Sequence, residues 1–343
     1  LLPWLETYTF PEEAKFSDPD YARLVYGAFV HDLWRNGTTR SILFGTIHKD
    51  STLVLMEFLQ KAGLSAYVGK VNMDRNSPEF LIEETKQSLL DTKAWLDEAA
   101  QFDPLVKPII TPRFVPSCTS ELMTGLAKLA KEYNVPVQSH LSENHGEIDW
   151  VASLHPESSN YTDVYYEHHL MGTVPTVMAH CIHLSGVEMD RMADTQTMVS
   201  HCPYSNVNLS SGIAPIRKLF ERNIPIGLGS DISGGHIVSM AKVLTNAIGL
   251  SKMKWAEVGQ NYAPLTLSEA FYMATKGGGQ FFGHVGSFEN GCELDALIID
   301  DTSLFDPNER SLEERLERWL YVGDDRHIIE RYVAGRVVPS PKG

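Results

Sequence analysis

The sequence has 343 residues, of which 43% are hydrophobic and 21% charged, a composition typical of a globular protein with a large core. The formal net charge of −15, together with the lack of a Lys/Arg cluster, argues against a nucleic-acid partner. No apolar run approaches the length of a membrane span, and we expect neither a membrane segment nor a signal peptide.

Seven short apolar or β-branched runs predict β-strands, and several are near-continuous, as expected for parallel strands that are buried on both faces. These runs are 40–48, 65–74, 106–114, 135–142, 176–183, 197–203 and 225–233. Helical patterns lie between and after them, at 78–102, 120–134, 214–223, 239–253 and 266–283. Further short β signals follow at 292–300 and 331–340.

The alternation of strands and helices predicts an α/β fold with a parallel sheet. A (β/α)₈ TIM-type barrel needs eight strands, and no eighth strand is evident after residue 233. If the fold is a barrel, we expect the missing unit to be the first one, upstream of residue 1. The chain also begins without Met, as if it entered a longer protein partway.

The four cysteines are scattered and form no CxxC pair. They are Cys118, Cys181, Cys202 and Cys292. This pattern predicts reduced thiols in a cytosolic protein rather than a disulfide framework.

Polar and ionisable residues occur where the predicted strands end, and the C-terminal face of a barrel is where catalytic residues lie. They are His48, Asp74, Arg113, His140, His180, His201 and Asp231. Of these, His140, His180 and Asp231 end three different strands and could converge on one Zn²⁺ or Fe²⁺ ion. The alternative is that each is a buried structural residue with its hydrogen bonds satisfied.

Glu143 follows His140 by three residues, and positions i and i+3 of a strand point to opposite faces. If both residues serve one site, the strand must therefore end between them.

Four segments at or near the predicted strand ends form a recognisable set: SHLSEN (139–144), MAHC (178–181), HCPYSN (201–206) and GLGSDISGG (227–235). Together they resemble the metal-dependent amidohydrolase superfamily and, more narrowly, its aminohydrolase branch, which deaminates nitrogen-containing rings. Four others narrow the resemblance to a purine-deaminating group: WLETYTFPEE (4–13), VKPIITPRF (106–114), NLSSG (208–212) and YVGDDRHI (321–328). The resemblance extends over essentially the whole chain.

The resemblance implies a role for six residues. His140 and Asp231 would bind the metal, His180 would lie beside it and hydrogen-bond water or substrate, and Glu143 would transfer protons. Arg113 would hold the purine by hydrogen bonds and Phe114 would pack against its ring. Without the resemblance, we would expect a surface salt bridge for Arg113 and an ordinary core position for Phe114.

The resemblance also implies a barrel over 1–285, the C-terminal β segment of a small β domain with a connecting helix over 286–343, and a homodimer in the cytosol. The reaction would be hydrolytic deamination of a small purine by a metal-activated water, with Zn²⁺ as the metal and Fe²⁺ as the alternative. No nucleic acid or membrane partner is implied.

One departure from the family pattern is the absence of an HxH motif, which in the family supplies two further metal ligands from the first barrel strand. A substrate-binding Gln of the family that lies near this motif is absent too. Two ligands are fewer than the three that a catalytic zinc site usually has. We therefore expect the 343 residues alone to be poorly active. Three hypotheses remain: a purine deaminase; a related enzyme acting on a pterin, triazine, cytosine or adenosine-type ring; and a catalytically incomplete barrel with a binding role.

Overall fold

The computed structural model describes residues 2–259 and 262–341. Nine parallel strand segments occupy the seven predicted strand positions, two of which are split. These segments are β1 (Arg40–Phe44), β2 (Ser65–Gly69), β3 (Val71–Asn72), β4 (Val106–Pro108), β5 (Thr111–Pro112), β6 (Val137–Leu141), β7 (Thr176–His180), β8 (Met198–His201) and β9 (Ile226–Leu228). The predicted strands are thus confirmed, although each is shorter than its apolar run.

The strand order follows the chain, as in a sheet that is built from consecutive β-α units. The hydrogen-bonded sets are β1-β2-β4, β3-β5 and β6-β7-β8-β9, all of them parallel. Ile110 connects the first and last sets, because its N–H donates to Pro136 and its carbonyl accepts from Gln138, both at 2.9 Å. The carboxyl ends of the strands therefore lie on one face of the molecule.

Helices precede, connect and follow the strands. The α-helices are Leu2–Trp4, Phe10–Ala14, Pro19–Arg35, Lys49–Ala62, Thr85–Ala99, Ser120–Tyr133, His145–Leu154, Tyr161–Glu167, Gly186–Asp194, Pro203–Asn208, Ile216–Glu221, Met240–Val258, Leu267–Tyr272 and Leu312–Val322. Single turns of 3₁₀-helix lie at Lys15–Ser17, Val115–Ser117, Gln280–Phe282 and Asp325–His327, and π-helical turns lie at Leu5–Thr9 and Met273–Gly277.

The helix predicted over 78–102 begins only at Thr85, so its first seven positions were wrong. The helix does not extend back to Glu83, because the Glu83 N–H donates to the Met73 carbonyl instead of a helical partner. Its carboxylate also accepts from the Met73 N–H and forms an ion pair with Lys70. Glu84 caps the helix instead by accepting from the Gln87 N–H. The tertiary contacts of an acidic residue therefore outweigh its helix propensity here.

The helix predicted over 266–283 is real but irregular. Thr266 and Glu269 form a capping box at its start. A π-helical turn and a 3₁₀ turn replace α-helix after Tyr272. A Cβ atom at Gly227 of β9 would lie 3.0 Å from the Cα of Gly278, so the two backbones approach closely and leave no room for a side chain.

An antiparallel sheet follows the parallel strands, in the region where short β signals were predicted. It comprises β10 (Ala296–Ile299), β11 (Ile328–Val333) and β12 (Arg336–Val337). The Arg331 side chain donates to the carbonyls of Trp34 and Arg35, so hydrogen bonds connect this sheet to the end of helix Pro19–Arg35. The division into 1–285 and 286–343 stays a prediction, and its outermost residues lie outside the described part of the chain.

The segment Leu2–Ser17, which we call the N-terminal strap, has a small hydrophobic core of its own. Leu5 and Phe10 of the strap pack with Val71, Met73 and Leu81. Since Val71 and Met73 lie in and just after β3, the strap lies near the carboxyl ends of the strands. Among the described residues, no helix combines the length and the apolar character that crossing a bilayer requires.

Lys70 interrupts the second strand position and is fully buried, with its Nζ 2.6 Å from Glu83. We expect Glu83→Ala to lower the free energy of unfolding by about 3–5 kcal/mol, because it leaves a buried cation unpaired. Denaturant unfolding followed by circular dichroism measures the change. Glu98→Ala is the control, because Glu98 pairs with Lys49 at the surface and its loss should cost at most about 1 kcal/mol. Equal effects of the two substitutions would contradict the expectation.

Candidate active site

Three of the strand-end residues come together, as the sequence predicted. His140 lies in β6, His180 ends β7, and Asp231 follows β9 by three residues. One ligand atom from each lies within 4.8 Å of the others. Two imidazoles and a carboxylate at this separation can hold a divalent metal ion such as zinc.

The hydrogen bonds of both histidines fix which ring nitrogen faces the site. His140 Nδ1 lies 2.7 Å from the carbonyl oxygen of Arg113, which can only accept, so Nδ1 carries the proton. His180 Nδ1 lies 2.9 Å from the amide oxygen of Asn206 and is a donor in the same way. The Nε2 lone pair of each ring is therefore free to bind a metal or accept a proton.

Burial and neighbouring charges set the protonation of these rings. Burial, helped by the nearby His180, lowers the pKa of His140 to about 4, so His140 is neutral at pH 7. Burial also acts to lower the pKa of His180, but the carboxylates of Glu143 and Asp231 outweigh it and the net shift is upward. His180 Nε2 lies 3.5 Å from Glu143 Oε2 and 3.9 Å from Asp231 Oδ2, too far for direct hydrogen bonds. The three groups therefore face one another without a direct hydrogen bond.

The backbone turns sharply where the strands end. Ser142, His180 and Asp231 all have positive φ values, at 50°, 71° and 46°. Non-glycine residues seldom adopt this conformation, which costs of order 1–3 kcal/mol each and is concentrated at functional sites. The turn at Ser142 brings Glu143 to the same site as His140, so the predicted strand end between them is found.

Glu143 is buried and held on two sides. The hydroxyl of Ser211 donates to its Oε1 at 2.9 Å. Its backbone N–H donates to Oε2 of Glu147 at 2.9 Å, and Tyr161 donates to the other oxygen of Glu147. Burial raises the pKa of Glu147 to about 7. These contacts fix the loop that carries Glu143.

Arg113 and Phe114 are buried, at 9% and 6% exposure. Arg113 therefore does not form the surface salt bridge that the sequence would suggest without the family resemblance. It pairs instead with Glu13 of the N-terminal strap, at 2.7 and 2.8 Å. The ring of Phe114 meets that of Trp150 edge-on, with centroids 6.4 Å apart.

All six predicted site residues line one cavity of about 1630 Å³. This volume exceeds the 300–1,000 Å³ of usual small-molecule pockets. The cavity extends along β1 and β9, where Ile42 and Leu228 line it. The cavity is thus large enough for a heterocyclic ring at the carboxyl ends of the strands.

The remaining strand-end residues do not line this cavity. Asp74 accepts hydrogen bonds from Thr85 and Thr119 and supports the adjoining helices. His48 precedes helix Lys49–Ala62, and its buried Nε2 has no hydrogen-bond partner among the described residues. Burial lowers the pKa of His201 to about 3. All four cysteines are free thiols, as predicted.

Several supporting residues lacked an assigned role in the sequence. Glu13, Asn206 and Ser211 lie within the quoted motifs YTFPEE, HCPYSN and NLSSG, and Glu147 lies just beyond SHLSEN. The motifs therefore marked the right segments. Their contacts depend on residues far away in the chain, which spacing alone does not reveal.

Comparison with known proteins identifies the family. The amidohydrolase family model matches residues 1–338. The chain is 45% identical to the guanine deaminase of Dictyostelium discoideum over 98% of this chain and 76% of that protein. It is 42% identical to the enzyme of Mus musculus over 99% of this chain and 77% of that protein. The chain thus spans about three quarters of the length of these relatives.

Solved structures agree with the sequence relatives. The guanine deaminase of C. acetobutylicum, crystallised with guanine in its active site, has a TM-score of 0.97 and 54% identity, covering 99% of this chain and 81% of that one. The E. coli enzyme has a TM-score of 0.90 and 35% identity, covering 99% and 79%. These matches confirm the predicted fold class, a TIM-type barrel of the amidohydrolase kind. The chain belongs to the amidohydrolase family and, within it, to the guanine deaminases.

Proposed function

We propose that this chain is a guanine deaminase, which converts guanine and water to xanthine and ammonia. The observation that carries the proposal is the match at 54% identity, over 99% of the chain, to an enzyme with guanine in its active site. Structures of enzymes that act on other rings give little support for a different substrate. The matching adenosine deaminase and triazine hydrolase structures are at most 20% identical and share the fold alone.

We propose that His140 and Asp231 bind the metal, with His180 beside it, and that the metal is zinc. Both donors suit zinc, because the Nε2 atom of His140 is free and unprotonated and Asp231 supplies an oxygen. They are two of the three or more protein ligands that a catalytic zinc site usually has, and this sequence holds no HxH motif to supply the others. When bound, a divalent metal would lower the pKa of a water molecule and make hydroxide available near neutral pH.

Arg113 and Phe114 would hold the substrate. The guanidinium of Arg113 donates hydrogen bonds to acceptor atoms of the purine, and the ring of Phe114 packs against its face. Both side chains line the same cavity as the metal-binding group. These two contacts would orient the purine so that C2, the carbon that bears the amino group, faces His140 and Asp231.

The remaining residues would move protons. Asp231 accepts a proton from the attacking water as its oxygen adds to C2. Glu143 donates a proton to the ring nitrogen next to C2, so that this carbon becomes tetrahedral. Asp231 then returns its proton to the amino group, the C2–N bond breaks with release of ammonia, and the hydroxyl proton passes back to Glu143 as the carbonyl forms. His180 hydrogen-bonds the new carbonyl oxygen. Glu143 suits this role because Ser211 and Glu147 hold it 3.5 Å from His180.

The proposal also covers location, assembly and domain organisation. A guanine deaminase without disulfides fits a cytosolic enzyme of guanine catabolism. The proposed assembly is a homodimer. The proposed domains are the barrel over 1–285 and the C-terminal β segment over 286–343.

The function is tested with the purified chain and a panel of guanine, a pterin, a triazine, cytosine and adenosine. We expect guanine alone to be consumed, with xanthine and ammonia formed in equal amounts, measured by ultraviolet absorbance and chromatography. The rate should be low, because the sequence holds no HxH motif to complete the metal site. Turnover of another ring in preference to guanine would favour the related aminohydrolases. No turnover of any ring would favour the catalytically incomplete barrel.

Glu143→Gln removes the proposed proton carrier while keeping the shape of the side chain. We expect the guanine turnover number to fall at least about a hundredfold, with the metal content unchanged. Steady-state kinetics and elemental analysis measure the two quantities. Glu132→Gln is the control, because Glu132 is an exposed residue that pairs with Lys93 at the surface. Near-normal turnover by Glu143→Gln would remove Glu143 from the mechanism.

The metal-binding roles are separated by three alanine variants. We expect His140→Ala to lose the bound metal on dialysis, because a direct ligand is removed. His180→Ala should keep the metal but lose turnover, because its imidazole lies beside the ion. His169→Ala, at an exposed histidine, should retain both. Elemental analysis after dialysis decides, and equal metal loss from His140→Ala and His180→Ala would contradict the assignment of His180.

A further inference from the structure

We propose that Glu13 is a positioning residue that orients the Arg113 guanidinium for substrate binding. The inference rests on the proposed function, in which Arg113 holds the purine. None of the proposed catalytic steps uses the N-terminal strap. Through Glu13, this segment would complete the substrate pocket.

The contact between Glu13 and Arg113 is close and largely enclosed. Both carboxylate oxygens of Glu13 accept from Nη1 of Arg113, at 2.8 and 2.7 Å. The side chains are only 18% and 11% exposed. The Arg113 guanidinium carbon also lies 5.1 Å from the ring centroid of Phe10, within cation–π range. Two neighbours on the strap therefore hold the guanidinium from different directions.

The arrangement leaves part of the guanidinium available. In the part of the chain that the structure describes, Nε and Nη2 of Arg113 form no hydrogen bond, and both Glu13 and Arg113 line the cavity. An arginine has five N–H donors, so pairing at Nη1 leaves three for a ligand. The carboxylate also balances the cationic charge, which suits a neutral purine ring better than an anionic ligand.

The strap holds Glu13 in place through its hydrophobic core. Phe10, three residues earlier on the same helix face, is 5% exposed and packs with Val71 and Met73. The adjacent Glu12 also borders the cavity, but its carboxylate bonds to Lys15 and Tyr21 at the surface and not to Arg113. Two neighbouring glutamates thus have different environments, which provides a matched control.

Guanine binding is measured by equilibrium dialysis with radiolabelled guanine, in a Glu143→Gln background so that the ligand is not consumed. We expect Glu13→Gln to raise the dissociation constant at least about tenfold, because the charge-assisted bond that fixes Arg113 is lost. Glu12→Gln should change it less than about twofold. Thermal melting of each variant shows whether the fold is intact.

A double-mutant cycle separates positioning from a general structural role. In an Arg113→Gln background no ion pair can form, so adding Glu13→Gln should weaken guanine binding less than about twofold further. The inference is overturned if Glu13→Gln binds guanine as tightly as its parent, or if the loss persists in the Arg113→Gln background. A chain that binds guanine but forms no xanthine would contradict the proposed function and still leave this comparison valid.

Discussion

The parallel pairing of β6 and β7, with a sharp backbone turn at the end of β7, is the constraint on which the rest of the site depends. Leu141 pairs with His180 and His140 pairs with Ala179, so the two histidines stand one step apart on neighbouring strands. Their rings stack with centroids 5.5 Å apart. In regular strands, residues one step out of register point to opposite faces, and it is the positive φ of His180, 71°, that turns its ring to the face of His140. The relative position of the two imidazoles is therefore set by the strand pairing together with the turn at the end of β7.

Hydrogen bonds from neighbouring groups orient the side chains of the site. A carbonyl and an amide oxygen hold the Nδ1 protons of the two histidines, which leaves both Nε2 atoms free. Tyr161, Glu147 and Ser211 fix the loop that carries Glu143. This support matters for the proton transfer that we propose for Glu143, because a catalytic group that is misplaced by about 1 Å loses much of its effect.

The strand ends could be predicted from the sequence, because at each one an apolar run stops and an ionisable residue follows. Sequence reasoning therefore predicted all seven strand positions, the grouping of His140, His180 and Asp231, and the turn before Glu143. It missed the late start of helix Thr85–Ala99, because the partners of Glu83 are brought to it by folding rather than by spacing.

The pairing of Glu13 with Arg113 was missed for a related reason. These residues are 100 positions apart, and the motif that contains each one gives no sign of the other. Only the docking of the N-terminal strap against Val71 and Met73 brings them together. Contacts between distant segments of this kind are what a single sequence conceals.

The central claim is that His140 and Asp231 bind one metal at the end of a cavity in which Arg113 and Phe114 hold guanine. Crystals of the Glu143→Gln variant, grown with guanine and measured at the zinc absorption edge, test it directly. The account predicts one anomalous peak about 2.0–2.2 Å from His140 Nε2 and an Asp231 oxygen, with guanine between that peak and Arg113. A protein with bound guanine but no peak at these two residues, or with guanine elsewhere, would contradict it.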